Sequence, residues 1–201
     1  EIYLVGDISL PPILVRAREV GIQYHIDVGK NKDVYLLAST RCTDQKPDDA
    51  SGLHGEFTLF RTLLSNLPLS AKFGEVIAQS ESDFVIKDMD IFRQAIVLYE
   101  NSTVNGNERI RLVSQEGSKL HNSLEIPNRF ISPHGNMYFD ALGVRFDVES
   151  PASLPKAQEY YFKSRKIRPL SSTASYDDDL DSFIHSRIFV ESFDGVQVPL
   201  S

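Results

Sequence analysis

Four carboxylates occupy five positions at Asp177, Asp178, Asp179 and Asp181. A calcium loop of the EF-hand kind alternates its ligands, turns on a glycine and closes with a distant bidentate glutamate. Neither that glycine nor that glutamate stands at the required offset, so the run reads as a solvated acidic loop. Asp88 and Asp90 are two residues apart. In a strand that spacing puts both on one face, where they could pair as metal ligands or as an acid and a base. Nucleophilic hydrolysis would need a serine on a strand-to-helix elbow, Gly-x-Ser-x-Gly, because only small flanking residues permit the strained turn. No such pentapeptide occurs. His25, His54, His121, His134 and His185 are scattered and read as structural or solvent-facing. Cys42 is alone, which rules out an internal disulfide and a multi-cysteine metal site. Asn101-Ser102-Thr103 satisfies the glycosylation sequon, but nothing else argues for secretion. No catalytic, cofactor-binding or metal-ligating residue is therefore assigned, and no cofactor is expected.

The elements that would position any such group are strands. Val34–Ala38, Phe84–Ile86, Ala95–Tyr99, Ile110–Val113, Val144–Val148 and Ile188–Glu191 are short and rich in β-branched or aromatic residues. Most are bounded by Gly, Asn, Asp or Ser. Ser51–Leu67 could hold a short helical turn, but Phe57-Thr-Leu-Phe-Arg-Thr alternates better as a strand. Pro11-Pro12, Pro151, Pro155 and Pro169 break up any long helix. Thr40–Glu56 and Arg168–Asp181 form two polar loops of a length uncommon inside compact domains.

Four segments resemble one another: "VYLLAST" (34–40), "IVLYENST" (96–103), "VRFDVES" (144–150) and "RIFVES" (187–192). Each is an apolar alternation ending in a small hydroxyl residue. Their starts lie about 40–60 residues apart, near the period of a four-stranded propeller blade. One small twisted sheet cannot bury both its faces, whereas stacked blades do so for each other.

The chain ends on a hairpin signal. Asp194-Gly195 joins the alternating runs Arg187–Ser192 and Val196–Leu200, and the expected turn is type I′, with positive φ at both central residues. The chain also begins within a strand-like run, Ile2–Val5, without an initiator Met. It is therefore expected to be a segment of a longer protein.

Composition bounds the partners. The chain has 201 residues and a net charge of −7 with no lysine/arginine block, which argues against nucleic acid. The densest basic stretch, Lys163, Arg165, Lys166 and Arg168, reads as a solvated strand end. No apolar run approaches the roughly 18–20 residues of a membrane helix, so no membrane partner is expected. The lone cysteine fits a reducing compartment, the cytoplasm.

Three stretches carry a family resemblance. The ending Asp194-Gly195-Val196-Gln197-Val198-Pro199 resembles the "D-G-x-x-V-P" passage from propeller to catalytic domain in prolyl oligopeptidase-type serine peptidases. Arg18-Glu19-Val20-Gly21-Ile22-Gln23-Tyr24, followed by Asp33-Val34-Tyr35-Leu36-Leu37, is similar to the "R-E-x-G-x-x-Y … F-Y-x-L-T-N" segment of the oligopeptidase B branch. Ile86-Lys87-Asp88-Met89-Asp90-Ile91-Phe92, before Ala95-Ile96-Val97-Leu98, is similar to its "D-V-D-x-F … L-V-V" stretch. All three occur in the family's order and together span nearly the whole chain. The chain departs from that branch in having no tryptophan, Ser39-Thr40 after the first matching strand and Phe193 before the Asp-Gly.

The resemblance implies an all-β fold: about three to four blades of a seven-bladed β-propeller, plus the first strand of an α/β-hydrolase domain. The implied division is residues 1–186 for the C-terminal part of the propeller and 187–201 for the passage into the hydrolase domain. Asp88 and Asp90 then fall in a blade strand with a structural role. The implied parent is a serine oligopeptidase that cleaves short peptides, its propeller covering and size-filtering an active site made with the parent's own hydrolase domain. Its serine, aspartate and histidine would all lie beyond Ser201. The rival reading is a non-catalytic propeller serving as a protein-interaction scaffold, since propellers host unrelated functions.

Overall fold

The computed structural model describes residues 2–5, 9, 11–30, 32–39, 57–69, 73–121, 123–126, 129–151, 153–170, 186 and 188–200. The fold is all-β: sixteen strands and one 3₁₀ turn among these residues, with no α-helix. Three four-stranded antiparallel sheets follow one another along the chain, each a simple meander. The first comprises β3 (Tyr24–Val28), β4 (Asp33–Ser39), β5 (Phe57–Leu63) and β6 (Glu75–Gln79). The second comprises β7 (Phe84–Ile91), β8 (Ile96–Ser102), β9 (Glu108–Val113) and β10 (Leu124–Glu125). The third comprises β11 (Phe130–Pro133), β12 (Gly143–Ser150), β13 (Ser153–Tyr161) and β14 (Lys166–Pro169). A two-stranded sheet precedes them, β1 (Ile2–Leu4) with β2 (Ile13–Arg16), and another follows, β15 (Ile188–Glu191) with β16 (Gln197–Leu200).

The sheets stack face to face, and β8 shows why its sequence is almost continuously apolar. Ile96 and Leu98 enter a core shared with Leu37, Leu59 and Ile77 of the first sheet. Val97 and Tyr99 point the other way, into a core shared with Ile131, Val144 and Phe146 of the third. A strand buried on both faces needs apolar side chains at odd and even positions alike. By contrast, β12 alternates cleanly. Val144, Phe146 and Val148 are buried, whereas Arg145 is exposed and Asp147 and Glu149 are half-buried. The far face of the third sheet is thus polar.

Three of the four similar segments take one structural position. They form β4, β8 and β12, the second strand of each four-stranded sheet. The fourth, at 187–192, differs: among the described residues its β15 pairs only with β16. The terminal hairpin forms, but its turn is not type I′. Gly195 N–H donates to the Ser192 carbonyl at 2.9 Å, Ser192 N–H donates to Val196 at 2.8 Å, and only Gly195 has a positive φ, 82°. A three-residue loop that ends on a left-handed glycine satisfies the same Asp-Gly pair.

Prolines mark the edges. Pro155 lies in β13 beside the register shift between Val148 and Ser150, and Pro169 ends the outer strand β14. Both are places where a missing N–H breaks no ladder. The basic stretch at 163–168 is exposed on and before β14, as a solvated strand end should be. Phe57–Leu63 is a strand, and the helical turn at its end is the 3₁₀ segment Leu64–Asn66. Thr40–Glu56 and most of Arg168–Asp181 fall outside the described residues.

Candidate functional site

Asp88 and Asp90 do share one side of β7, and a bulge explains how. The register shifts between Ile86 and Asp88, so Ile86, Met89 and Ile91 all reach the core while the two aspartates face away from it. They do not act as a pair. Asp90 Oδ2 accepts the Tyr99 hydroxyl and Asn136 Nδ2, each at 2.7 Å. Asp88 Oδ1 accepts the Met89 N–H at 2.8 Å and lies 3.6 Å from His25 Nδ1. On β3, Asp27 Oδ1 accepts the Val28 N–H at 2.7 Å, while Oδ2 takes the Ile91 N–H of β7 at 3.0 Å. Burial pushes the Asp27 and Asp90 carboxyls above the ordinary carboxylate range, and for Asp90 the charges of Asp88 and Asp27 add to it. The fully buried Tyr99 phenol is pushed far up by burial and then by Asp90, so it keeps its proton and donates it to Asp90 while its oxygen accepts Asn136 Nδ2 at 3.3 Å.

Asn136 carries this cluster to the third sheet. Its Nδ2 also donates to the Arg145 carbonyl at 2.8 Å, and its Oδ1 accepts the Arg145 N–H at 2.9 Å. Nothing in the sequence marked Asn136, because its Asp90 partner is 46 residues away.

A second cluster sits at the turns of the first two sheets. A cleft of about 440 Å³ there is lined by Tyr35, Arg61, Arg93, Gln115 and Phe139 among others. Gln115 is its hub. It accepts the Tyr35 hydroxyl, donates to the Phe92 carbonyl at 2.7 Å and offers its own carbonyl to Arg61 at 3.0 Å. Arg61 also pairs with Glu75 at 2.7 Å, and Arg93 pairs with Asp140 beside the Phe139 ring. The cleft thus has hydrogen-bonding groups and charge but no nucleophile beside a base.

A third cluster is buried. Glu100, with no exposed surface, accepts Arg109 Nε at 2.6 Å and Arg111 Nε at 2.8 Å. The same arginines reach Glu81 at 2.5 and 3.2 Å, and Arg111 also reaches the Gln79 carbonyl at 2.7 Å. Burial pushes the Glu100 carboxyl up against the pull of both guanidiniums. The Arg109 hydrogen bond holds Glu81 below its ordinary range. Arg109 also stacks 3.5 Å from the centre of the Phe84 ring.

The remaining candidates resolve as follows. His134 Nδ1 lies 2.7 Å from Asp147 Oδ2, and His25 packs edge-on against Phe57 with ring centres 6.0 Å apart. His121 is half-buried after β9. Among the described residues no histidine bonds a serine hydroxyl, and no three His, Cys, Asp or Glu side chains come together as a metal site. Asn101 is exposed on β8, while the buried Ser102 Oγ accepts the N–H groups of Val104 and Asn105, both at 3.2 Å. Cys42, His54, His185 and the run Asp177–Asp181 lie outside the described residues. No described helix is long and apolar enough to cross a membrane, which says nothing about a β-barrel.

No family model matches the sequence, and no curated protein matches it. Solved structures do. Oligopeptidase B from Leishmania major superposes with a TM-score of 0.67 at 12% identity, over 96% of this chain and 26% of its own. Oligopeptidase B from Trypanosoma brucei, in a closed form with covalently bound antipain, gives 0.62 at 15% identity over 92% and 25%. A structure from work on two prolyl endopeptidases gives 0.64 at 14% over 91% and 24%. The chain spans about a quarter of the length of each of these proteins. In fold, this chain is a partial β-propeller of the kind carried by prolyl endopeptidases and oligopeptidase B.

Proposed function

We propose that this chain is the propeller part of a serine oligopeptidase and that its role is to cover and size-filter an active site lying outside it. The observation that carries this reading is the run of three consecutive four-stranded meanders, which aligns over most of its length with peptide-cleaving enzymes of two kinds. Residues 1–186 are the propeller part and 187–201 the passage into a hydrolase domain. In support, among the described residues β15 and β16 pair only with each other and present apolar side chains on both faces: Ile188, Phe189, Val190 and Val198 are all well exposed. A cytoplasmic location goes with the reading and is supported by the single cysteine.

In such an enzyme the chemistry is acyl transfer through a serine, with a histidine base and an aspartate that orients it. The described residues supply none of these in working geometry. Their contribution is mechanical: polar ties between sheets keep the cover closed. The test is to assay the intact protein that contains this chain on a short fluorogenic peptide and on a folded protein carrying the same cleavage sequence. Cleavage of the peptide alone is expected. Equal cleavage of both would refute the filter. Cleavage of neither, with the protein folded, would favour a binding scaffold.

A further inference from the structure

One end of the third sheet combines exposed carbon with uncompensated positive charge. The loop between β11 and β12 and the turn between β13 and β14 lie at that end, since alternate connections of an antiparallel meander share an end, and the β7–β8 turn meets them there. A pocket of about 440 Å³ opens between them, its walls mostly carbon, lined by Gln94, Leu142, Tyr161, Lys163 and Ser164. Leu142 is 66% exposed, and Tyr138 of the same loop is 76% exposed. Main-chain hydrogen bonds fix the walls. Arg93 N–H donates to the Phe139 carbonyl at 2.8 Å, Phe162 N–H to Leu142 at 3.1 Å and Arg165 N–H to Tyr161 at 2.8 Å. A pocket preformed in this way asks little ordering of a ligand.

The chain as a whole carries a net charge of −7, yet this end is cationic. Lys163, Arg165 and Lys166 are exposed, and among the described residues none of them pairs with a carboxylate. Arg168 lies 5.2 Å over the Tyr161 ring. The carboxylates flanking Leu142 and Tyr161 in sequence are already held, Asp140 by Arg93 and Glu159 by Arg145. From Lys166 the strand β14 runs to the opposite end of the sheet, so the chain continues past Pro169 away from the pocket.

We propose that this end of the third sheet docks an acidic segment of a partner protein, which seats one bulky apolar side chain against Leu142 and Tyr161 while its carboxylates meet Lys163, Arg165 and Lys166. Charge complementarity sets the chemistry of the partner: an acidic protein repels acidic partners except where its own cations stand together uncompensated. The carbon walls set the second requirement. Charge alone would hold any polyanion, whereas burying one leucine or aromatic side chain favours a segment that carries it at the right place. Such a dock works whether or not the parent protein cleaves peptides.

The experiment titrates a fluorescent acidic peptide with one central leucine, blocked at both ends, with the intact protein that contains this chain, and follows anisotropy. Binding is expected, and it should weaken as salt is raised. Exchanging the peptide's leucine for glycine, or Leu142→Ser in the protein, should each weaken it about fivefold or more. Lys163→Glu combined with Lys166→Glu should weaken it about tenfold or more at low salt. Arg18→Glu, a charge reversal at an exposed position between β2 and β3, should leave it within about twofold. All four substituted side chains are exposed, and unchanged unfolding midpoints confirm that the variants fold. No binding, equal binding of the leucine and glycine peptides, or an equal loss in Arg18→Glu and the lysine variant would each overturn the proposal. Tighter binding after Asp177→Asn, Asp178→Asn, Asp179→Asn and Asp181→Asn together would show that the chain's own acidic run takes the pocket, and would overturn its assignment to a partner.

Discussion

Glu100 Oε2 lies 2.6 Å from Arg109 Nε with the glutamate side chain wholly buried, in the middle of the second sheet. Arg111 closes the other oxygen at 2.7 Å. Removing the carboxylate leaves two guanidiniums in a buried site, with the half-exposed Glu81 as their remaining carboxylate among the described residues and the Gln79 carbonyl still on Arg111. Breaking a buried pair from one side costs about 3–5 kcal/mol. Glu100→Ala is therefore expected to lose that much in urea unfolding, with Glu81→Ala losing far less. Similar losses at the two positions would contradict the network as drawn.

Asn136 ties the second sheet to the third through Asp90, Tyr99 and both main-chain groups of Arg145. Asn136→Ala should cost about 1–2 kcal/mol, from the net worth of the hydrogen bonds lost, about 0.5–1.5 kcal/mol each. Asn136→Asp should cost more at pH 7, because it sets a second carboxylate against Asp90. That extra loss should disappear on acidification. Stability measured at pH 7 and pH 4.5 for both variants checks the order.

Gly117 has φ 85°, and a Cβ built on it would overlap the Ile77 carbonyl oxygen of the first sheet. Gly135 has φ 53° with nothing near its missing Cβ. Both positions carry the left-handed penalty, about 1–2 kcal/mol for a residue with a Cβ. Only Gly117→Ala must also push two sheets apart. It is expected to destabilise clearly more than Gly135→Ala in thermal unfolding, and equal effects would show that the turn after β9 does not press on β6.

Most clearly readable in advance were the strands with apolar side chains on both faces or in alternation, β4, β8, β9 and β12, and the same signals marked β1, β5, the start of β7, β15 and β16. Others were hidden for definite reasons. Tyr24-His25-Ile26-Asp27-Val28 of β3 mixes polar groups that serve the joint with β7, and β13 contains Pro155, which only its bulge tolerates. The hydroxyl closing each repeat was visible as a pattern, but its work was not. Ser39 Oγ accepts the Gln23 N–H at 2.8 Å, Ser102 Oγ caps the turn after β8, and Ser150 Oγ meets Ser153 Oγ at 2.9 Å. Two residues of the Arg18-Glu19…Tyr24 resemblance likewise gain a physical content: Glu19 accepts the Tyr24 hydroxyl and the guanidinium of Arg16, which lies outside the motif and 4.6 Å over the Phe73 ring. The polar ties between sheets, Asp90 with Asn136 and Tyr35 with Gln115, join residues 46 and 80 positions apart, a distance at which no local spacing rule applies.

The acid side of the stability profile should report Glu81. The Arg109 hydrogen bond holds its carboxyl below the ordinary value near 4.3 in the folded chain. Its contribution is present above that value and is lost as the pH falls through the lower folded one. Between pH 5 and pH 3 the unsubstituted chain should lose stability more steeply than Glu81→Gln. Parallel slopes would mean that the Arg109 contact is too solvated to matter.

The central claim is that this propeller part belongs to a serine peptidase whose nucleophile lies elsewhere in the protein. Labelling the intact protein that contains this chain with a fluorophosphonate, then mapping the modified peptide by mass spectrometry, tests it most directly. The account predicts one labelled serine outside residues 1–201 and no labelling of the 201-residue chain expressed alone. Stoichiometric labelling of a serine within the chain, or none anywhere in the folded intact protein, would contradict it.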